Sequence, residues 1–216
     1  MKPKKASIEI LLIASILTFG FYDSYGQTAE VVKIGNQEWM AKNLDVSTFR
    51  NGDLIPEAKK GKEWETAGND GKPAWCYFDN DPENGEKYGK LYNWYAVNDP
   101  RGIAPTGWHV PSDAEWTQLT DDLGGEDIAG TLMKSREGWK KKGNGTNESG
   151  FNAVPAGGRY DDGTFSSLKE YTYWWSATET DSSLAWYRYT GFEDDLAPRY
   201  YYDKRTGFSV RCLKDK

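Results

Sequence analysis

The sequence predicts an α+β domain in which short helices surround small twisted antiparallel sheets and long loops connect them. The segment Gly107 to Trp116 combines a helix start with aromatic residues that precede an apolar stripe. Toward the carboxyl end, short runs alternate aromatic and polar residues, as half-buried strands do. Between these parts, glycine, asparagine and aspartate are frequent, which is typical of loops.

The first 26 residues have the organisation of a secretory signal peptide. Lysines at the start precede an apolar run, Ile10 to Tyr22, that is 13 residues long. A membrane-spanning helix needs roughly 20 residues, so an uncleaved anchor is only the alternative interpretation. We expect an exported protein that does not span a membrane after cleavage and whose residues 27–216 form a single domain.

Near the amino end, Val31 to Ala41 predicts a β-hairpin around the pair Gly35-Asn36. The polar segment from Asn51 to Pro73 has Trp64 as its only aromatic residue and predicts a long surface loop. Pro73 to Phe78 then predicts a buried strand.

The run Asp79 to Gly85 is rich in side-chain oxygens and invites a comparison with calcium loops. Counted from Asp79, the sixth position is Asn84 where an EF-hand needs glycine, and the twelfth is Lys90 where it needs glutamate. An Asx-rich turn is therefore favoured over a metal site, and calcium binding by this loop stays an open alternative.

Three helical patterns follow. Leu91, Trp94 and Tyr95 lie at helical spacing within a short predicted helix. A clearer helix is expected after Ser112, because Glu115 completes a capping box. The buried stripe of this helix is expected to consist of Trp116, Leu119 and Leu123. A further helical turn is expected to carry the apolar residues Ile128, Leu132 and Met133.

Three runs near the carboxyl end predict strands, at Leu184 to Tyr189, Arg199 to Lys204 and Gly207 to Leu213. In the last run Phe208 and Cys212 lie on one face and Arg211 on the other, so we expect a half-buried strand.

Cys76 and Cys212 are the only cysteines. An even pair in an exported protein usually forms a disulfide, so we predict a Cys76–Cys212 bridge. Two separate buried thiols are the alternative. A catalytic cysteine is disfavoured, because no histidine or cationic cluster lies near either residue in the sequence.

Charge and histidine content limit the partners and the chemistry. The chain carries 27 Lys and Arg against 33 Asp and Glu, a formal net charge of −6, which argues against nucleic acid and anionic lipid as partners. The single histidine, His109, excludes a three-histidine metal site and favours a structural role just before a helix. We expect no cofactor.

Five separated sequence motifs and their order along the chain resemble those of the Fibrobacter succinogenes major paralogous domain. They span roughly residues 31 to 214. The resemblance implies a bacterial protein that is secreted, periplasmic or on the cell surface, from a family without an established biochemical activity. The motifs are Ile34 to Leu44, Tyr88 to Tyr95, Gly107 to Trp116, Tyr173 to Glu179 and Gly207 to Cys212.

A more distant resemblance is to formylglycine-generating sulfatase-modifying enzymes, through Val110 to Trp116 and Gly207 to Arg211. It implies a C-type-lectin-like fold. It does not imply their chemistry, because those enzymes use a paired cysteine site near the carboxyl end, where this chain has only Cys212. The calcium-ligand triplets of true C-type lectins do not occur in this sequence either.

The abundance of aromatic residues, with 10 Trp and 14 Tyr, suggests a recognition surface for a glycan or a cell-surface protein. These rings could instead merely cover a sheet. Two further classes of protein stay open: a structural envelope or scaffold protein, and a divergent enzyme that uses Glu115, Glu179, Asp194 and Asp195 as paired carboxylates. The candidate ligand-binding residues are Trp186, Tyr187, Tyr189, Asp194, Asp195, Tyr200, Tyr201 and Tyr202.

Overall fold

The computed structural model describes residues 30–216, so the predicted signal peptide lies outside the described residues. The chain forms mixed α and β structure with small antiparallel sheets and few helices, as the α+β prediction requires. The strands are β1 (Val31–Ile34), β2 (Gln37–Met40), β3 (Trp75–Cys76), β4 (Leu91–Tyr92), β5 (Trp108–His109), β6 (Gly158–Arg159), β7 (Phe165–Ser166), β8 (Tyr171–Glu179), β9 (Leu184–Gly191), β10 (Arg199–Asp203) and β11 (Leu213–Lys214). The helices are α1 (Gly61–Asn69), α2 (Pro82–Tyr88), α3 (Trp94–Val97), α4 (Asp113–Asp122) and α5 (Glu126–Met133).

Two sheets organise the fold. One has the strand order β1-β2-β11-β5 and brings the two ends of the described chain together. The other has the order β10-β9-β8, with antiparallel neighbours and β10 at an edge. The predicted amino-terminal hairpin is confirmed, because Val31 pairs with Met40 and Ile34 with Gln37 around Gly35 at φ 56°. Glycine adopts this left-handed conformation at little cost.

The predicted capping box at the start of α4 is confirmed. The Ser112 hydroxyl accepts from the Glu115 N–H, and Glu115 Oε2 accepts from the Ser112 N–H at 2.8 Å. Trp116 on this helix packs 4.7 Å from Trp39 and 5.7 Å from Trp174, measured between ring centroids. Helix α4 therefore holds the two larger sheets together.

The segment predicted as a long surface loop contains α1, so that prediction is wrong. Trp64 is fully buried, and the Arg159 guanidinium lies 4.9 Å from the centroid of its ring. The remaining side chains of α1 are almost all polar. The sequence therefore has no row of apolar residues at helical spacing that would predict this helix. Burial of the Trp64 indole against the rest of the fold stabilises the helix, which the local sequence pattern alone does not predict.

The short helix predicted around Leu91 is confirmed only in its second half. Leu91 and Tyr92 form β4, and α3 begins after Asn93. The Asn93 side chain accepts from the N–H groups of Ala96 at 3.1 Å and Ala74 at 3.0 Å, so it caps α3 while holding the residue that precedes β3.

We expected a half-buried strand at Gly207 to Leu213, but the structure buries both faces of this segment. Phe208 and Cys212 are buried, but so are Ser209 and Arg211 on the other face. Only Leu213 and Lys214 form a regular strand, and the preceding residues pair through isolated bridges with β4, β6 and β8. The segment threads through the core, so neither face reaches solvent.

The predicted Cys76–Cys212 disulfide is wrong, because both cysteines are free buried thiols. Cys76 packs in a cluster with Trp64, Phe78 and Leu91, whereas Cys212 belongs to a separate core cluster around Trp175 and Val210. Burial raises the pKa of each thiol to about 12. Each sulfur therefore behaves as a small apolar core group.

We expect both thiols to be unreactive in the native protein and reactive after unfolding. A thiol reagent added without reductant should modify neither cysteine under native conditions, since the neutral thiol is a poor nucleophile and both are buried. In denaturant the same reagent should modify both. Intact-mass analysis before and after denaturation gives the number of modified thiols. If neither thiol reacts in denaturant, the two cysteines are joined in a disulfide and the assignment of free thiols is wrong.

Candidate functional site

Alternation along the three-stranded sheet gathers tyrosines on one side. In a strand, successive side chains point to opposite faces, and directly paired residues share a face. Tyr173 pairs with Tyr189, and Tyr187 pairs with both Trp175 and Tyr200. The resulting surface, called here the tyrosine face, consists of Tyr171, Tyr173, Trp175, Tyr187, Tyr189, Tyr200 and Tyr202.

The opposite face of this sheet is covered by helices. Trp174 stacks on Trp116 of α4, and Arg188 Nη2 donates to the Thr117 hydroxyl at 3.0 Å. At the margin of this covered face, the Arg199 guanidinium lies 3.8 Å from the centroid of the Trp186 ring. The tyrosine face is therefore the side of the sheet that α4 does not cover; its centre, at Trp175 and Tyr187, packs on Phe208 in the core, and its margin reaches solvent.

A pocket of about 100 Å³ opens in the tyrosine face. Phe208 stacks on Tyr173 at 4.8 Å and lies 4.9 Å from Tyr187, measured between centroids, so it joins the aromatic lining. Tyr160 and Tyr202 lie 6.5 Å apart and complete it. Hydroxyl groups at the pocket come from Ser166, Ser167 and Thr206.

Tyr173, Tyr187 and Tyr202 are neutral hydrogen-bond donors and acceptors at the pocket. Burial raises the pKa of Tyr173 to about 12, and it raises the pKa of Tyr187 and Tyr202 as well. No phenolate is present near neutral pH, so these hydroxyls hydrogen-bond rather than act as charged nucleophiles. The site can stack flat groups and hydrogen-bond their substituents.

Thr206 contributes a buried hydroxyl to the wall of the pocket. Its side chain is buried, it lies at the pocket, and its Oγ1 makes no hydrogen bond to the residues that the structure describes. An unpaired buried hydroxyl costs roughly 1–3 kcal/mol, and a polar ligand group would remove that cost.

The predicted site residues are divided between two faces and a loop. Tyr187 and Tyr202 line the pocket, with Tyr187 more deeply buried than the sequence suggested. Tyr189 and Tyr200 lie beside it on the tyrosine face. Trp186 and Tyr201 pair with each other on the opposite side.

The two predicted acidic residues lie in the loop after β9 and are engaged there. Asp194 Oδ1 accepts from the Leu196 N–H at 3.1 Å, and its main-chain oxygen accepts from Lys134 Nζ at 2.6 Å. Asp195 accepts from the Thr131 hydroxyl. These contacts fasten the loop to α5 and leave the carboxylates outside the residues that line the pocket.

Several pocket residues were missed by the sequence prediction. The signal for Tyr173 was present, because Tyr171, Tyr173 and Trp175 alternate along β8 as the residues of one face do. Tyr160 and Ser167 come from other segments with no such pattern, and Thr206 and Phe208 come from the segment before β11, whose alternation predicted a strand but not a pocket. Only the fold brings them together.

The four carboxylates considered for catalysis have separate structural partners. Glu115 Oε2 accepts from the Ser112 hydroxyl at 2.8 Å, and Glu179 pairs with Lys204 at 2.6 Å. Asp194 and Asp195 are held in the loop after β9. Within residues 30–216, no group of three or more His, Cys, Asp and Glu side chains is arranged to hold a metal ion.

His109 lies at a second cleft, of about 360 Å³, beside the carboxyl end of the chain. Its Nδ1 is 2.7 Å from Asp215 Oδ1 and its Nε2 is 3.1 Å from Glu115 Oε1. Both ring nitrogens are engaged, which supports a structural role that links the chain end to α4.

Comparison with known proteins gives a family and nothing more specific. A family model described as the Fibrobacter succinogenes major domain matches residues 32–214. No curated protein and no solved structure matches the chain. Across residues 30–216, every helix is too short or too polar to cross a bilayer.

Proposed function

The chain belongs to the Fibrobacter succinogenes major domain family, and from this premise we propose that it is a secreted, non-catalytic recognition domain that binds a glycan or a cell-surface protein. The observation that carries the proposal is the tyrosine-lined pocket with the unpaired Thr206 hydroxyl beside it. Such a site offers apolar ring faces and hydroxyls to the same ligand.

Exposed tyrosines beside the pocket enlarge the surface. Tyr200 and Tyr202 are 55% and 38% exposed, although both belong to an aromatic cluster that includes Tyr187. Tyrosine gives a large amphipathic contact area at low conformational entropy cost, which suits recognition. These rings can stack against the apolar face of a sugar or against an apolar side chain.

The size of the pocket indicates what enters it. Pockets for drug-sized ligands usually have about 300–1,000 Å³, whereas this one has about 100 Å³. The proposal is therefore that one protruding group enters the pocket while the rest of the ligand lies across the tyrosine face. A substituent of a sugar ring or the end of a single side chain has suitable dimensions.

We also propose that the fold is C-type-lectin-like. The support is the pairing of β2 with β11, which joins the two ends of the described chain, together with short helices and long loops around small sheets. An experimental structure with a recognisable C-type-lectin-like neighbour is the test.

The substitution Tyr202→Ala should weaken ligand binding about tenfold or more, since loss of a stacked ring costs about 1.4 kcal/mol or more at a binding hot spot. The ligand is first identified on a glycan array and on immobilised envelope proteins from bacteria. Titration calorimetry then gives Kd for the original and the substituted protein.

Tyr201→Ala is the matched control. Tyr201 lies on the same strand and is 43% exposed, but its ring packs on Trp186 and on Tyr200 and does not line the pocket. Binding should change little in this variant. Equal losses in both variants would contradict the proposed site, and failure to bind any glycan or envelope protein would favour a structural scaffold instead.

A further inference from the structure

Strand β10 is an unprotected sheet edge. It pairs with β9 on one side only, and Arg199 through Tyr202 are exposed. Edge strands usually carry a proline, a bulge or an inward-pointing charge that prevents pairing with another chain. Within β10 the central residues are three tyrosines, its pairing with β9 is regular, and charges occur only at its ends.

The hydrogen-bonding pattern shows which groups of β10 point outward. The Lys204 N–H donates to the Ser183 oxygen at 2.9 Å, and the Tyr189 N–H donates to the Pro198 oxygen at 3.3 Å. Hydrogen-bonded pairs alternate along an antiparallel ladder, so Tyr200 and Tyr202 direct their main-chain groups toward β9. Arg199, Tyr201 and Asp203 direct theirs away from the sheet.

The sequence of this edge is complementary to itself. When two copies of Arg199–Asp203 run antiparallel about Tyr201, each Arg199 lies opposite the Asp203 of the other copy, and each Tyr200 lies opposite a Tyr202. Aromatic pairs across an antiparallel ladder each contribute roughly 0.2–1 kcal/mol. Arg199 already pairs with Asp113 at 2.9 Å and Asp203 with Arg205 at 2.7 Å within each copy, so their charges favour the antiparallel register but add little further stabilisation. A parallel arrangement would instead place like charges side by side.

We propose that β10 is a dimerisation edge, at which two copies of this chain pair strand to strand about a twofold axis at Tyr201. The outward main-chain groups of Tyr201 then bond reciprocally to those of its counterpart, and those of Arg199 bond to Asp203 of the second copy. The Asp203 oxygen already accepts from the Thr206 N–H at 2.9 Å, and a carbonyl oxygen has room for a second donor.

This pairing would extend the tyrosine face. Tyr200 and Tyr202 of each copy meet across the new ladder on the side of the sheet where the pockets open. Two pockets would then lie on one continuous sheet surface and face the same way. A ligand with repeated groups, such as a polymer or a crowded cell surface, would be held by both.

Sedimentation velocity of the purified protein, from about 1 μM to about 200 μM, tests the proposal, because a single strand edge buries little area and gives a weak dimer. We expect a concentration-dependent shift from monomer to dimer. Tyr201→Pro removes an outward N–H that β9 does not use, and it should raise the dissociation constant at least about tenfold.

Tyr201→Thr is the control, since it removes the same ring but keeps the N–H; its dissociation constant should stay within about threefold of the original, a change below about 0.7 kcal/mol. Thermal melts followed by circular dichroism verify that both variants are folded. A protein that stays monomeric throughout, or a dimer that Tyr201→Pro leaves unchanged, would overturn the proposal.

Hydrogen exchange of the unsubstituted protein gives a second measurement that needs no variant. The amides of Tyr200 and Tyr202 should be protected at every concentration, whereas those of Arg199 and Tyr201 should become protected only as the dimer forms. Absence of that concentration dependence argues against strand pairing. Ligand binding by the tyrosine face is tested separately by Tyr202→Ala, so either proposal can fail alone.

Discussion

Arg211→Ala is expected to lower the free energy of unfolding by about 4 kcal/mol. Arg211 is fully buried, and its Nη1 donates to the main-chain oxygens of Met40 at 2.9 Å and Phe151 at 2.6 Å. Its Nε and Nη2 both donate to Asn43 Oδ1, at 3.1 and 2.9 Å. Truncation removes these donors and leaves a cavity against the Phe151 ring.

An opposing effect limits the loss of folding free energy in Arg211→Ala. Burial lowers the pKa of the Arg211 guanidinium to about 9, so the folded protein carries the cost of a desolvated cation that Ala would not have. The orphaned oxygens and the cavity outweigh this relief, because Asn43 also anchors Trp174 Nε1 at 2.9 Å and the whole network loosens together.

Urea denaturation of the original protein, of Arg211→Ala and of Arg136→Ala measures the effect. Arg136 is the matched control, because it is exposed and its Nε donates to a single main-chain oxygen, that of Thr146 at 2.8 Å. Its truncation should cost less than about 1 kcal/mol. Comparable losses for the two arginines would contradict the central role of Arg211.

Raising the pH above 9 should destabilise the protein steeply through its two thiols. Burial raises the pKa of Cys76 and of Cys212 from 9.0 to about 12. In the unfolded chain both thiols ionise near pH 9, while in the folded protein they hold their protons. Their contribution to stability is therefore complete below pH 9 and is lost progressively as the pH rises to about 12.

The expected slope is about 1.4 kcal/mol per pH unit for each thiol, or nearly 3 kcal/mol for the pair. It is measured as the difference from a variant without the thiols, because Arg211, whose pKa burial lowers to about 9, contributes a slope of opposite sign in both proteins. Urea denaturation from about pH 8 to about pH 10, in the presence of a reductant, covers the start of this range before most tyrosines ionise. The double variant Cys76→Ala and Cys212→Ala is the control and should lose much less stability with pH. Parallel curves for the two proteins would rule out the thiols as the cause.

Features controlled by neighbouring residues were predictable from the sequence. The hairpin around Gly35 and the capping box of Ser112 and Glu115 each need only a few adjacent residues, and both formed as expected. The alternation of Tyr171, Tyr173 and Trp175 was equally visible along the chain. The resemblance to the family was confirmed because its motifs are likewise read from the sequence.

The sequence by itself therefore determined the local elements, the aromatic-rich strands and the family. The tertiary structure decided which aromatic rings stay accessible, because α4 covers one face of the β10-β9-β8 sheet and the core cluster around Phe208 covers the centre of the other, so Tyr200 and Tyr202 stay exposed at the edge. It also decided the state of the cysteines, since Cys76 and Cys212 lie in different core clusters. Exposure and distance depend on segments far apart in the chain, and local patterns carry no information about how such segments pack.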